Sequence, residues 1–536
     1  MKSKNIFKLL AITSLLFFSS ACKESFLDEV PHKASIVESQ YFTTVDQCNT
    51  STMVAYAFID WTGNNWWQTM NWRHLSGDAA SDDAWTGNTY QSTHASYNAV
   101  AEYTIDPGND RNEGHWIMLY KGIGIFNSTM AGIEKAPIDE NSKKQFIAEL
   151  KFLRSWCYFD LVRNWGGVPL VLKINSPSEH VPRSTASEVY TQIINDLKEA
   201  AAVLPKKSQY ASKDKYRASR GAALTLLAKA YLYTEDWANA ETAAKQVMDL
   251  GDYSLEPFFG TLWNYNYKNG SESIFEIQFS SVQVPLLPDN KYNKVMNSPA
   301  DGGWAYYSIT SDLENAYKAE ADSVRLQWTI NRTGMPVVGD PGKPVYDGRP
   351  ANGLPGKAVQ SKSGRYSRKH YTPMAQRPSN GLYAFNDKIL RFADVVLMHA
   401  EACAMQNKTG LSLGSLKKIR DRVNLPTNMT LTDWNLINAV RKERRLEMAM
   451  EGDRLYDLRR WKDQSGKPVI QSILGPNGSF VKYNTQISTD KYETANLIEP
   501  QNKGTNFDPA VHMVWPIPNS QIVSSEGVIK QNPGYF

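Results

Sequence analysis

The sequence predicts a mainly α-helical fold: a tetratricopeptide-like helix-hairpin scaffold with one loop-rich face and a few short strands. Three observations lead to it. Apolar residues recur at three-and-four spacing through both ends of the chain. Residues 221–251, GAALTLLAKAYLYTEDWANAETAAKQVMDLG, set small residues against large ones on two arms joined by Thr234-Glu235-Asp236. Between the helical ends the chain turns to loop chemistry, with ten of its 26 prolines between Pro285 and Pro378.

Each element follows from local pattern. Residues 1–21 read as an export signal: Lys2, Lys4 and Lys8 are basic, and Leu9 to Phe18 form an apolar run too short to span a bilayer. Ser19-Ser20-Ala21-Cys22 then resembles a lipobox, in which Cys22 is acylated and becomes the new N-terminus; the competing reading is an ordinary signal peptide with a coincidental cysteine. Helices are predicted at 114–135 and 142–165. In the second, Phe146, Leu150, Leu153, Cys157 and Leu161 share one face, Gly166-Gly167 ends the helix and Pro169 blocks continuation. Ser184 or Thr185 caps a helix to about Leu204, where Pro205 stops it.

In the alanine-rich hairpin, Leu227, Ala230 and Tyr231 pack on one arm and Trp237, Ala240, Ala244 and Val247 on the other. A second hairpin is predicted at 387–424, from Lys388-Ile389-Leu390 through Glu401-Ala402 and then Leu413 to Val423; helices at 431–449 and 453–463 follow. In the middle, Ser273 to Phe279 alternates as a strand and Gly339 to Pro344 is loop. The organisation is therefore a signal at 1–21 and one unit at 22–536. Within that unit a helical scaffold covers about 39–254 and 387–463, a loop-rich insert about 255–386, and a tail 464–536. Long ordered loops on a rigid scaffold are where binding usually sits.

Composition excludes several classes. The 536 residues carry a net charge of +4, and removing the three lysines of the signal leaves +1, which suits neither a nucleic-acid binder nor an acidic disordered tail. Four cysteines with no CxxC pair make neither a disulfide scaffold nor a zinc knuckle; Cys157 and Cys403 lie in apolar helical patterns as buried thiols. There is no HExxH, no GxxxxGK[ST] and no cofactor motif, and the eight histidines are scattered. What remains to explain is the aromatic load, 15 Trp and 27 Tyr.

Several stretches resemble one family. RFADVVLMHAEA (Arg391–Ala402), VRKERRLEMAMEGDRLYDLRRW (Val440–Trp461) and VWPIPNSQIVSSEGVIKQNPGYF (Val514–Phe536) are similar to the SusD/RagB family of Bacteroidetes outer-membrane lipoproteins. Ala148–Val171, Ala218–Tyr233 and CKESFLD at the mature start fit the same pattern in the same order. Lys23-Glu24 resembles the charged tag that sends such lipoproteins to the cell surface. The resemblance implies a SusD-like domain over 22–536, with helix hairpins backing a loop-rich ligand-binding face. It also implies a cell outer membrane location facing outward, no enzymatic activity, and a partner, a SusC-like TonB-dependent transporter, to which oligosaccharide or polysaccharide is passed. A minority branch, typified by RagB, takes peptides instead.

The family's most recognisable motifs read as architecture. Asp394 and Glu401 lie near the apolar stripe of their helix and need buried partners, for which Arg445 or Arg454 is expected. Trp515-Pro516-Ile517-Pro518 and Asn532-Pro533-Gly534-Tyr535 are expected to lock the tail onto the bundle.

The candidate site follows from the aromatics. Five Trp fall within 25 residues: Trp61, Trp66, Trp67, Trp72 and Trp85, in a polar stretch without helical period. A pyranose ring presents a C–H face that stacks on an aromatic plane while its hydroxyls hydrogen-bond polar groups. At about 25 cal/mol per Å², one stacked face contributes on the order of 1 kcal/mol before ordering costs. The resemblance favours Trp85-Thr86-Gly87-Asn88, because starch-binding relatives place a Trp-x-x-Asn pair in their N-terminal loop with an arginine upstream. In this chain Arg73 is the arginine expected to take that part. Trp304-Ala305-Tyr306-Tyr307 forms a second group, and Trp263, Tyr265 and Tyr267 a third. Asp78, Asp82 and Asp83 are turn residues or sugar-hydroxyl acceptors. Glycan capture leads. Peptide capture comes next, and a two-carboxylate glycoside hydrolase last, since nothing in the sequence pairs two acids.

Overall fold

The computed structural model describes residues 41–59, 72–86, 91–176, 178–282, 290–298, 301, 303–346, 363–483 and 503–536. Cys22, Trp61, Trp66, Trp67 and Asn88 lie outside the described residues.

Helix α1 (Val45–Ile59) leads, across an undescribed stretch, to a wide π-type turn at Leu75–Ala79, strand β1 (Ala84–Thr86) and α2 (Gln91–Ala101). The long helices α3 (Asp110–Lys135), α4 (Glu140–Trp165) and α5 (Ala186–Val203) follow. α3 and α4 begin earlier than their apolar pattern does, because Asn109 and Asp139 cap them: Asn109 Oδ1 accepts from the backbone of Arg111 and Asn112, and Asp139 from Ser142. At α5 the cap is Thr185, in a reciprocal capping box with Glu188. Gly166 ends α4 with φ of 72°, a conformation that glycine adopts without strain.

α6 (Arg220–Tyr233) and α7 (Trp237–Asp249) form the predicted hairpin. Ala230, Ala240 and Ala244 are fully buried between the arms, so the helices close on small side chains, and Asp236 caps α7 through Asn239.

The middle holds β2 (Ser273–Ile277), α8 (Tyr292–Met296), β3 (Tyr307–Ile309), α9 (Ser311–Ala319), α10 (Ser323–Thr329), β4 (Ile330–Arg332) and β5 (Arg365–Ser367). β6 (Asp387–Arg391) then runs into the second hairpin, α11 (Phe392–Met405) and α12 (Thr409–Arg422), followed by α13 (Asp433–Met448) and α14 (Arg454–Arg460). The strands pair antiparallel in twos: β1 with β3, β2 with β6, β4 with β5. One expectation changes here. Lys388-Ile389-Leu390 is strand rather than helix, because the segment pairs with β2 and its extended backbone carries Arg391 to Glu272 and Glu451.

A network of buried ions ties α11 to α6, α13 and α14. Asp394 pairs with Arg444 and with Lys229 at 3.0 Å, and both Glu401 oxygens accept from Arg460 at 2.8 Å. The arginines predicted for these acids, Arg445 and Arg454, go elsewhere. Neighbouring helix residues point about 100° apart, so Arg444 faces α11 while Arg445 turns to Asp82, Asp83 and Asp312. The tail locks down as expected. Trp515 Nε1 donates to Ser76 Oγ at 2.8 Å, Trp165 Nε1 to the Pro516 carbonyl at 3.1 Å, and Asn532 Nδ2 to the Trp515 carbonyl at 2.8 Å. Cys48, Cys157 and Cys403 are free and buried.

Candidate functional site

Two of the three sequence-predicted aromatic groups meet. β1 lies against β3 with Trp85 opposite Ser308 and Thr86 opposite Tyr307, which sets the N-terminal loop beside Trp304-Ala305-Tyr306. That tripeptide is docked on α8: Trp304 N donates to the Lys294 carbonyl at 2.6 Å and Tyr306 N to the Val295 carbonyl at 2.9 Å. Before it, a Cβ on Gly303 would sit 2.1 Å from the Asn297 carbonyl oxygen, so the chain passes only because the residue is glycine.

Alternation then sorts the side chains. Ala305 and Tyr307 are buried, whereas Trp304 and Tyr306 are half-buried. Their ring centres are 5.7 Å apart with planes inclined 32°. Tyr97 of α2, only 3% exposed, supports Tyr306 from beneath at 5.4 Å. Arg111 of α3 lies 4.9 Å from the Tyr97 ring centre, and the Lys294 ammonium 5.9 Å from that of Trp304. Burial, reinforced by Tyr97, pushes the Tyr306 phenol up to about 12, so its hydroxyl stays protonated and able to donate. The arrangement is an aromatic ledge that carries a phenol hydroxyl.

Other candidates prove to be structural. Trp85 is 3% exposed, packed toward Phe480 and Lys503, and its indole N–H has no hydrogen-bond partner among the described residues. Tyr307 is buried beneath the β1–β3 pair. Arg73 is not open to a ligand: it donates to Asp387 at 3.0 Å and to the Glu451 carbonyl at 2.6 Å. Asp78 is buried, 2.6 Å from His74 Nδ1, and accepts from Gly452 N at 3.2 Å. Asp82 and Asp83 are buried ion-pair partners of Arg445 and Arg454, neither turn residues at the surface nor sugar acceptors.

In the third group Trp263 turns inward, while Tyr265 and Tyr267 stay half-buried with their hydroxyls engaged by the protein. Trp263 is buried with Phe259 and Phe385, between the ammonium groups of Lys369 (4.6 Å) and Lys388 (5.6 Å). The Tyr265 hydroxyl accepts from Ala384 N, and that of Tyr267 donates to Glu256. Loop composition cannot distinguish an aromatic that faces solvent from one that a distant segment covers. Tyr97 and Arg111 were missed because they reach the ledge from about 200 residues away, and Lys294 because the turn that brings it back onto Trp304 is irregular; the alternation along 304–307 was the one legible signal.

Glu241, His399 and Cys403 bring three potential metal-ligand atoms within 4.8 Å of one another. Their chemistry does not suit an ion. Glu241 already accepts from Lys408 and Gln406, and His399 Nδ1 is engaged with Ser415 Oγ at 2.9 Å. Burial also raises the Cys403 thiol to about 12, away from the thiolate that a metal requires.

Comparison with known proteins identifies the family. The SusD family model matches residues 271–535, and the model described as starch-binding, associating with the outer membrane, matches 25–232. A SusD-like protein of Bacteroides ovatus is 27% identical over 500 residues, covering 86% of this chain and 83% of that one. A SusD-like protein of Formosa agariphila is 25% identical over 467 residues, 83% of this chain and 85% of its own. Among solved structures, a laminarin binding SusD-like protein superposes with a TM-score of 0.72 at 25% identity, over 92% of this chain and all of that one. The chain therefore belongs to the SusD/RagB family, non-catalytic binding proteins of the outer membrane that pair with a SusC-like transporter.

Proposed function

We propose that the protein captures oligosaccharide or polysaccharide on the Trp304–Tyr306 ledge and passes it to a SusC-like TonB-dependent transporter, while acylated Cys22 tethers it to the outer face of the cell. One observation carries this reading: two half-exposed aromatic rings, adjacent on a backbone pinned to α8, one of them bearing a phenol hydroxyl. Stacked sugar faces on two rings contribute a few kcal/mol at most before ordering costs, which suits a module that must release its cargo. The laminarin-binding relative, alike along nearly the whole chain, supports a glycan as that cargo.

The test is affinity electrophoresis and calorimetry against a polysaccharide panel, with Trp304→Ala and Tyr306→Ala beside the parent protein. Loss of binding in both variants, with melting unchanged, is the expected result. Retained binding in both would remove this ledge as the site.

A further inference from the structure

Among the described residues, a cation lies toward each end of the ledge. At one end Lys294 is half-buried with its ammonium beside the Trp304 ring, and no carboxylate pairs with it among the described residues. At the other end Arg111 lies over Tyr97, the ring that supports Tyr306. One acidic partner, Asp110 at 3.2 Å, is itself half exposed, so that pair contributes little. Asp301, three residues before Trp304, is turned inward and held by Lys343 at 2.7 Å and Arg377 at 3.4 Å. A ligand resting on Trp304 and Tyr306 thus has a cation near each end.

We infer that the ledge selects acidic glycans, those bearing carboxylate or sulfate on the sugar, over neutral ones. The inference rests on the glycan reading and names its ligand class. The aromatic faces hold the pyranose rings, which is indifferent to charge. Lys294 and Arg111 then attract a substituent at the ring's edge, where Coulomb attraction is partly sheltered from solvent by the indole and the phenols. Because both cations keep part of their surface in solvent, the preference fades as salt is added.

The experiment is calorimetry on the mature chain with three ligands: a polyuronate, which supplies only carboxylate; a sulfated galactan, which supplies only sulfate; and a neutral β-glucan. Measurements at about 0.05 M and about 0.5 M NaCl span Debye lengths from well above to well below the reach of the two side chains. The acidic ligand is expected to bind about fivefold more tightly or better at low salt, the size of one half-exposed ion pair. The gap is expected to close at high salt, and in Lys294→Gln and Arg111→Gln. Whichever acidic polymer shows it identifies the anion.

A neutral glucan bound as well as both acidic ones, or an acidic preference that survives both substitutions, overturns the inference. If Trp304→Ala abolishes binding of the neutral glucan and neither acidic polymer binds, only the acidic preference falls. If no glycan binds at all, the glycan reading falls with it.

Discussion

The Thr310 hydroxyl donates to the backbone carbonyl of Asp82 at 2.8 Å, across 228 residues of sequence. The Thr310 amide adds a second bond, to the Asp83 carbonyl at 3.0 Å, and its hydroxyl accepts from Leu313 N as the cap of α9. One threonine thus clasps the N-terminal loop to the segment that carries the ledge. Thr310→Ala is expected to cost about 1–2 kcal/mol, a lost cap plus a lost buried hydrogen bond. Urea unfolding measures that cost, and calorimetry checks that glycan affinity falls with it. Unchanged affinity in a destabilised variant would mean that the clasp serves stability alone.

The ledge also depends on Gly303. A methyl group there meets the Asn297 carbonyl oxygen at 2.1 Å, and backbone cannot step aside as a side chain does. Gly303→Ala is expected to destabilise by about 1–3 kcal/mol and to displace Trp304, so that near-ultraviolet circular dichroism and ligand binding change together. A fully active, equally stable variant would contradict the fit described.

Trp85 and Trp304 are expected to behave oppositely when truncated. Trp85 is in the core, so Trp85→Ala should cost about 3–5 kcal/mol of stability. Trp304 is half-exposed, so Trp304→Ala should leave the melting temperature nearly in place and take away binding. Thermal melts beside affinity electrophoresis separate the two roles.

Arg444 neutralises Asp394, Asp453 and Asp457 at once. Arg444→Ala leaves buried carboxylates short of their shared cation and is expected to cost at least about 3–5 kcal/mol. Soluble yield and denaturant midpoint report it. A near-neutral effect would mean that Lys229 and Arg163, which also reach Asp453, suffice.

Two buried groups give opposing pH dependences. Burial, aided by the negative charge of Asp82 and only partly offset by Arg445, raises Asp83 to about 6. Its native pKa lies above the unfolded value, so the native state holds the proton more tightly, and this contribution to stability is lost as pH rises from about 4 to about 6. His512 is lowered to about 4 by burial and by Arg459, and accepts from Asp508 N when neutral. The unfolded chain protonates this imidazole first, so its contribution is lost as pH falls from about 6.5 to about 4. The slopes oppose each other in the parent. Relative to it, Asp83→Asn should gain in melting temperature as pH rises through this window, and His512→Asn should gain as pH falls. Parallel profiles would contradict both assignments.

Local pattern sufficed for the helical elements because their causes are local. Asp236 capping α7, Gly166 ending α4 and the alanine stripe of the α6–α7 hairpin are visible within a few residues of the elements they shape. The acids of α11 were likewise legible as buried and paired, but their partners were not. Whether Arg444 or Arg445 faces Asp394 depends on the phase of a helix 50 residues away.

The sequence by itself determined a helix-hairpin protein rich in loop-borne aromatics, because periodicity, caps and composition act within a turn or two. Only the tertiary structure decided which aromatics are a surface. Trp263 is covered by Phe385 and two lysines from a distant stretch, Trp85 is closed over in the core, and Trp304 and Tyr306 stay half-buried where α2 and α8 meet them. Exposure is a property of what packs against a residue, and for Trp85 and Trp263 that neighbour comes from more than a hundred residues away.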